Sequence, residues 1–357
     1  KGPADSMTHM RRAVELARQA LGSTSPNPAV GAVVVKDGVE VGRGITQTPG
    51  RAHAEIGAIA QAGTQARGAT LYVTLEPCCT WGRTPPCTGA IIEAGISTVY
   101  AAAIDPNPDV SGKGLAELQA AGVSATVVLE PVDGLKELYE GFSKHINTGL
   151  PFVTAKFAMS LDGKIATETG DSKWVTGPLA RGIVQQLRRE CDSVMVGINT
   201  VLADNPRLTA RDDQGEPWAR QPLRVVLDSQ CRTPLDAQLL REPGHTLIVT
   251  SSRTTEQQVD RMKQAGAKVL KVSPTPEGRL DLNQVMSELG QKDIISLLVE
   301  AGGTLQGALF DAGLVDKVMA FIAPVIIGGV MSLVVTVAVS KRTTVSHEEA
   351  SYLLKLH

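Results

Sequence analysis

Along the first 150 residues the apolar positions switch repeatedly between a spacing near 3.6 and a spacing of two. Met10 to Leu21 gathers its apolar residues on one helical face. AVVVKDGVEVGRG, from Ala32 to Gly44, alternates around Asp37–Gly38, the signal of a hairpin with a two-residue turn. AEIGAIAQAG predicts the next helix, and TLYVTLEP, from Thr70 to Pro77, a strand stopped by proline. Pro86 to Ala94 and Leu115 to Ala121 read as helices, Thr98 to Ile104 and Ala125 to Leu129 as strands. This alternation predicts a layered α/β domain with a mostly parallel sheet.

A helix from Leu135 to about Ile146 runs into Asn147-Thr148-Gly149-Leu150-Pro151, a helix stop followed by a proline that favours extended chain. The domain boundary is placed here, dividing the chain into 1–148 and 149–357. Strands are predicted near 152–159, 193–197, 224–228, 246–250, 268–272 and 294–299, and helices near 178–190, 255–264, 282–289 and 304–312. The second half is thus a second α/β domain. From Val318 to Ser340 no charged residue occurs, a length that suits a membrane span. Pro324, Gly328–Gly329 and the Val and Ile content predict two buried strands and a tight turn instead.

Composition narrows the function. Of 357 residues 43% are hydrophobic, too many for a disordered chain. A net charge of -2 disfavours a nucleic-acid binder, and 3% aromatics leaves few platforms for stacking bases. Three of the five cysteines (Cys78, Cys79 and Cys87) lie within ten residues, which is not a disulfide framework. The N-terminal stretch lacks a signal pattern, so a cytoplasmic protein with no membrane association is expected.

The chemistry concentrates in His53-Ala54-Glu55, Pro77-Cys78 and Cys87. One imidazole and two thiolates suit Zn²⁺ and leave a fourth tetrahedral position for water. Zn²⁺ activates water at neutral pH, and Glu55, near the ligands but not one of them, suits a proton shuttle. The competing arrangement is a closed knot with Cys79 as fourth ligand. Adjacent cysteines span one tetrahedron poorly, and such a knot has no use for Glu55.

These residues carry a resemblance. HAE with a downstream PC is similar to the zinc-dependent nucleobase deaminases, whose signature is H-x-E…P-C-x-x-C. Here the second cysteine comes nine positions after the first, inside EPCCTWGRTPPC, and this insertion resembles the bifunctional riboflavin-biosynthesis deaminase/reductase family of bacteria. TSPNPAVGAVVVKDG and DPNPDVSGKG extend the match, as do KFAMSLDGKIAT, GDSKWVTGPLAR, NTVLADNPRLTAR and LVEAGGTLQGALF in the second half. The resemblance implies a cytidine-deaminase-like three-layer α/β/α domain followed by a dihydrofolate-reductase-like α/β domain. The first would deaminate 2,5-diamino-6-ribosylamino-4(3H)-pyrimidinone 5′-phosphate with Zn²⁺. The second would reduce the ribosyl side chain to ribityl with NADPH.

By the same resemblance His53, Cys78 and Cys87 are the zinc ligands and Glu55 the shuttle, while Asn27, Arg83 and Asn107 contact the substrate. In the second half Ala158, Trp174, Thr200, Asp204, Gly302, Gly303, Thr304 and Leu305 match cofactor-binding positions. Ser172, Arg188, Leu208, Arg211 and Glu300 match substrate positions, with Lys156 and Asp204 as catalytic candidates. The partners implied are phosphorylated pyrimidines; apart from the resemblance, the apolar strands at the C-terminal end suggest pairing of chains through the reductase half.

The chain departs from the family at Thr46 and Thr80, where histidine is common on the substrate side; Trp81 is the candidate to close that pocket. After Gly329 the family's glycine-containing loop is missing, and the native chain is expected to exceed 357 residues. A tRNA adenosine deaminase is disfavoured by the C-x8-C spacing, the lack of a basic face and the second half. A scaffold with one degenerate half is disfavoured by the intact HAE, cysteines and SLDGKIAT.

Overall fold

The computed structural model describes residues 3–163, 177–323 and 352–356. The chain forms two units, Lys1–Gly149 and Leu150–His357.

The first unit runs α1 (Pro3–Ala20), β1 (Gly31–Lys36), β2 (Val39–Ile45), α2 (Ala54–Ala62), β3 (Thr70–Val73), α3 (Cys87–Glu93), β4 (Thr98–Ala101), α4 (Lys113–Ala120), β5 (Ser124–Val127) and α5 (Leu135–Thr148). Its sheet has the order β2-β1-β3-β4-β5. Asp37 and Gly38 both take positive φ, 49° and 84°, as a primed hairpin turn requires. The sheet is only half parallel. β1 is antiparallel to β2 and to β3, and β3, β4 and β5 run parallel. A two-residue turn can join only antiparallel strands, so the hairpin imposes that pairing on β1 and β2.

Alternation along β1 makes the three layers. Val33 and Val35 pack with Met10, Ala13 and Leu16 of α1 on one face. On the other face α2 approaches β2 so closely that a Cβ on Gly44 would lie 2.0 Å from the Ala54 carbonyl oxygen. β3 and β4 are shorter than the predicted runs, ending at Val73 and Ala101. Beyond them the chain leaves the ladder at the strands' C-terminal ends, and those segments carry Cys78 and Asn107.

The second unit runs β6 (Phe152–Ser160), α6 (Pro178–Glu190), β7 (Ser193–Gly197), α7 (Ile198–Asp204), β8 (Leu223–Leu227), α8 (Gln238–Arg241), β9 (Thr246–Ser251), α9 (Glu256–Gln264), β10 (Lys268–Val272), α10 (Leu282–Gln291), β11 (Ser296–Val299), α11 (Gly303–Asp311), β12 (Lys317–Ala323) and β13 (Tyr352–Leu356). The sheet order is β10-β9-β8-β7-β11-β6-β12-β13, parallel except for β12 with β13. A parallel sheet buries both faces, which explains the unbroken Val, Ile and Leu runs. Met195, Val225, Leu227 and Val249 fill one side and Val194, Val196, Val226 and Ile248 the other.

The short α7 and α8 had no clear periodicity to announce them. Of the uncharged run from Val318 to Ser340, Val318–Ala323 lies in β12 and the rest falls outside the described residues, as does the break after Gly329. No described helix is long and apolar enough to cross a membrane.

Candidate functional site

In the first unit His53 sits at the N-cap of α2, Cys87 at the start of α3, and Cys78 in the loop leaving β3. Their ligand atoms all lie within 4.8 Å of one another. His53 Nδ1 is 3.6 Å from Cys78 Sγ and 3.3 Å from Cys87 Sγ. With Zn–S near 2.3 Å and Zn–N near 2.0 Å, the sulfur–nitrogen edge of a tetrahedron is about 3.6 Å. The donor set therefore fits Zn²⁺ in type and in spacing. Cys79, half-buried beside it, is not part of the cluster, which disposes of the four-ligand knot.

The surroundings hold these donors in place. His53 Nε2 lies 3.2 Å from Thr84 Oγ1; a proton on Nε2 would leave the Nδ1 lone pair facing the sulfurs. The Cys87 N–H donates to Cys78 Sγ at 3.4 Å and the Thr88 N–H to the Cys78 carbonyl at 3.2 Å. Hydrogen bonding from Cys87 and then His53 pulls the Cys78 thiol down, while the same pairing and burial push Cys87 up. Glu55, in the first turn of α2, is 4% exposed. Burial, then the Cys78 charge, pushes its carboxyl up to about 7.

In the second unit the middle of β6, the last turn of α6 and the residue after β11 build an ion cluster. Arg188 Nε and Nη2 donate to the two Glu300 oxygens at 2.6 and 3.0 Å, and Lys156 Nζ lies 3.7 Å from Glu300. Burial opposes ionisation of Glu300, but Arg188 and then Lys156 outweigh it and hold the carboxyl below its ordinary value. Ala301 and Gly302, the next residues, line a cleft of about 420 Å³. Thr200, Thr304 and Leu305 also line it. A Cβ added to Gly302, just before α11, would meet nothing within 4 Å, so the backbone is open to a ligand at a helix start. Size and lining suit a dinucleotide.

Residues 4–103 match the model of the cytidine and deoxycytidylate deaminase zinc-binding region, and residues 151–352 that of the RibD C-terminal domain. The chain is 44% identical to the riboflavin biosynthesis protein RibD of Actinobacillus pleuropneumoniae, covering 90% of this chain and 85% of that one. It belongs to the bifunctional riboflavin-biosynthesis deaminase/reductase family. RibD of Escherichia coli K12 is 42% identical over 90% of this chain and 88% of its own. Acinetobacter baumannii RibD, form 1, superposes with a TM-score of 0.82 at 37% identity, covering 99% of this chain and 98% of that one. The diaminohydroxyphosphoribosylaminopyrimidine deaminase/5-amino-6-(5-phosphoribosylamino)uracil reductase of Thermotoga maritima gives 0.83 at 34%, with the same coverage. The chain is thus an enzyme of riboflavin biosynthesis with a deaminase and a reductase domain, the family's cofactors being Zn²⁺ and NADPH.

Other expected residues of this family member fall in varied places. Asn27 lies in a turn closed by its N–H to Thr24. Asn107 is half-buried, its Oδ1 accepting from the Asp109 N–H, and Arg83 is exposed. Trp81 is 78% exposed. Thr46 is buried and its hydroxyl accepts from the Val30 N–H, so it braces β2 rather than offering a contact; Thr80 is exposed. In the second unit Gly303 opens α11, Ala158 lies on β6, Asp204 is exposed at the end of α7, and Leu208 is buried with φ 55°. Arg211 Nη2 pairs with Glu242 at 3.0 Å and its Nε donates to Thr209. Ser172 and Trp174 lie outside the described residues.

Two features had no expectation. Glu76, 3% exposed, accepts the N–H groups of Asp105, Gly112 and Leu115, clamping the loop that bears Asn107. Gly114 is part of that clamp, since a Cβ there would lie 2.0 Å from the Pro77 carbonyl oxygen. Ser229, Arg232 and Arg279 line the cleft. The EP preceding Cys78 was the available signal for Glu76 and DPNPDVSGKG for Gly114; Ser229, Arg232 and Arg279 stand in none of the motifs named above.

Proposed function

We propose that the first unit hydrolyses the ring amine of 2,5-diamino-6-ribosylamino-4(3H)-pyrimidinone 5′-phosphate, and that the second reduces the ribosyl group of the product with NADPH. Support for the first step is the buried Glu55 carboxyl beside His53, Cys78 and Cys87. Zn²⁺ held by those three would supply an activated water. Glu55 takes a proton from the attacking water and returns one to the departing amine. A C–O bond forms, the C–N bond breaks, and ammonia leaves. A carboxyl with its pKa near neutrality serves both directions of transfer. Asn27 and Asn107 would engage the pyrimidine and ribose ends, with Arg83 on the phosphate.

For the second step NADPH, when bound, would supply a hydride to C1′ of the sugar, and the ring oxygen released from that carbon would take a proton. We assign that proton to Lys156, whose ammonium lies beside Glu300. Asp204, at an exposed helix end, is the weaker candidate. Gly302, Gly303, Thr304, Leu305, Thr200 and Ala158 would hold the cofactor. Arg188 and Arg211 are already paired with carboxylates, so a substrate phosphate would have to share them. A cytoplasmic location and pairing of chains through the second unit complete the proposal, and both rest on the sequence.

A Glu55→Ala variant tests the first assignment. Metal analysis should find zinc retained, ammonia release should fall by roughly a hundredfold or more, and NADPH oxidation on the deaminated intermediate should continue. Undiminished ammonia release would sink the shuttle role.

A further inference from the structure

The cleft of the second unit contains a charge pattern that the reaction steps leave unused. Its lining includes two arginines, Arg232 and Arg279, together with Ser229, and among the described lining residues there is no Asp or Glu. Both arginines are exposed. Arg232 Nη2 makes one long contact, 3.4 Å, to the neutral Asn199 side chain. Exposed Glu277, which senses the charge of Arg279, does not line the cleft. A cleft with two guanidinium groups and no carboxylate selects a compact, multiply charged anion.

Sheet order places that anion relative to the chemistry. Lys156 lies on β6, and Glu300 follows β11. Arg232 follows β8, and the order β8-β7-β11-β6 puts three strand spacings between β8 and β6. At about 4.8 Å each this is roughly 14 Å across the C-terminal edge of the sheet. A dinucleotide lying along that edge, with its reducing ring at Lys156 and Glu300, reaches the two arginines with its adenosine end. Leu227, Leu280 and Leu282 line the cleft near them and offer an apolar wall for the adenine. Enzymes that take NAD commonly place a carboxylate at the ribose 2′-hydroxyl, and those that take NADP an arginine at the 2′-phosphate.

We propose that Arg232 and Arg279 bind the 2′-phosphate of NADPH and thereby set the preference for NADPH over NADH. This rests on the reading of the cleft as the cofactor site. The substrate carries the same chemistry, a phosphate monoester, but its reacting carbon belongs beside Lys156, at the far end of the edge.

Equilibrium binding to the full chain, followed by nucleotide fluorescence, tests the assignment. NADPH and NADH are each titrated into the unmodified protein, Arg232→Gln, Arg279→Gln and the double variant. Each single change should weaken NADPH roughly tenfold and the double change more, since a hydrogen bond to a charged group is being lost. NADH affinity should stay within about twofold, which also shows that the variants are folded, and the substrate KM should not move. An unchanged ratio of NADPH to NADH affinity in the double variant would overturn the proposal. So would a raised substrate KM with NADPH binding intact, because the arginines would then hold the substrate's phosphate. Failure of the unmodified chain to bind either nucleotide would remove the cofactor reading itself, and this proposal with it.

Discussion

The two units place their reactive groups by different means. In the first, His53, Glu55, Cys78 and Cys87 all come from residues 53 to 87, at two helix starts and one loop leaving a strand. Their geometry follows from short-range contacts: the Cys87 and Thr88 N–H groups on Cys78, Thr84 beside His53, and α2 pressed onto Gly44. In the second, Lys156, Arg188 and Glu300 meet from opposite ends of the unit, with Arg188 and Glu300 separated by 112 positions. A metal ion would hold the thiolates of the first site by its own charge, whereas the second balances its charges with its own side chains. A site made from a local motif should fail locally, and one made by the sheet's topology should fail together with the fold around it.

Cys78→Ala should have the largest effect. It removes a ligand, so zinc and ammonia release should both be lost, while NADPH oxidation on the deaminated intermediate stays within about twofold. A parallel loss of reduction would show that the two units do not act independently. Glu300→Ala comes next. It leaves Arg188 and Lys156 without their buried counter-charge and should destabilise the second unit by about 3 kcal/mol in denaturant unfolding, with ammonia release preserved. The pH dependence has a definite sign. Glu300 is held below its ordinary pKa, so its contribution is present above the unfolded carboxylate value and is lost as pH falls through the folded one. Removing it should therefore flatten the acid limb of the second unit's stability curve. Thr84→Val is the mildest test. The valine keeps the shape but takes away the partner of His53 Nε2, and chelator competition should show zinc bound roughly tenfold more weakly. Unchanged affinity would mean that the Thr84 contact does not orient the ring.

The same contrast explains what was legible before the fold was known. The hairpin at Asp37–Gly38 and the helix stop at Gly149 depend on neighbours in sequence, and both elements formed as read. The zinc cluster was legible for the same reason, since its members are motif residues at fixed spacing. Strand ends were less so: Leu75 to Pro77 look like strand, but they lie beyond the last paired residue of β3. Arg211 shows the limit most clearly. By resemblance it matches a substrate position and could hold a phosphate, and only the fold brings Glu242, 31 positions away, against it. Arg232 and Arg279 were invisible for the converse reason, because a cleft lining drawn from separate loops has no period and no motif.

The central claim is that one chain carries out two unlike reactions at two sites. Its most direct test is to incubate the zinc-loaded chain with the diaminopyrimidinone ribosylamine phosphate and NADPH, following products by mass over time. The account predicts exchange of one amine for oxygen first, with ammonia released, and then the gain of two hydrogens matched by NADPH consumed. A zinc-loaded chain that leaves the amine in place, or that removes it and never adds the hydrogens, would contradict it.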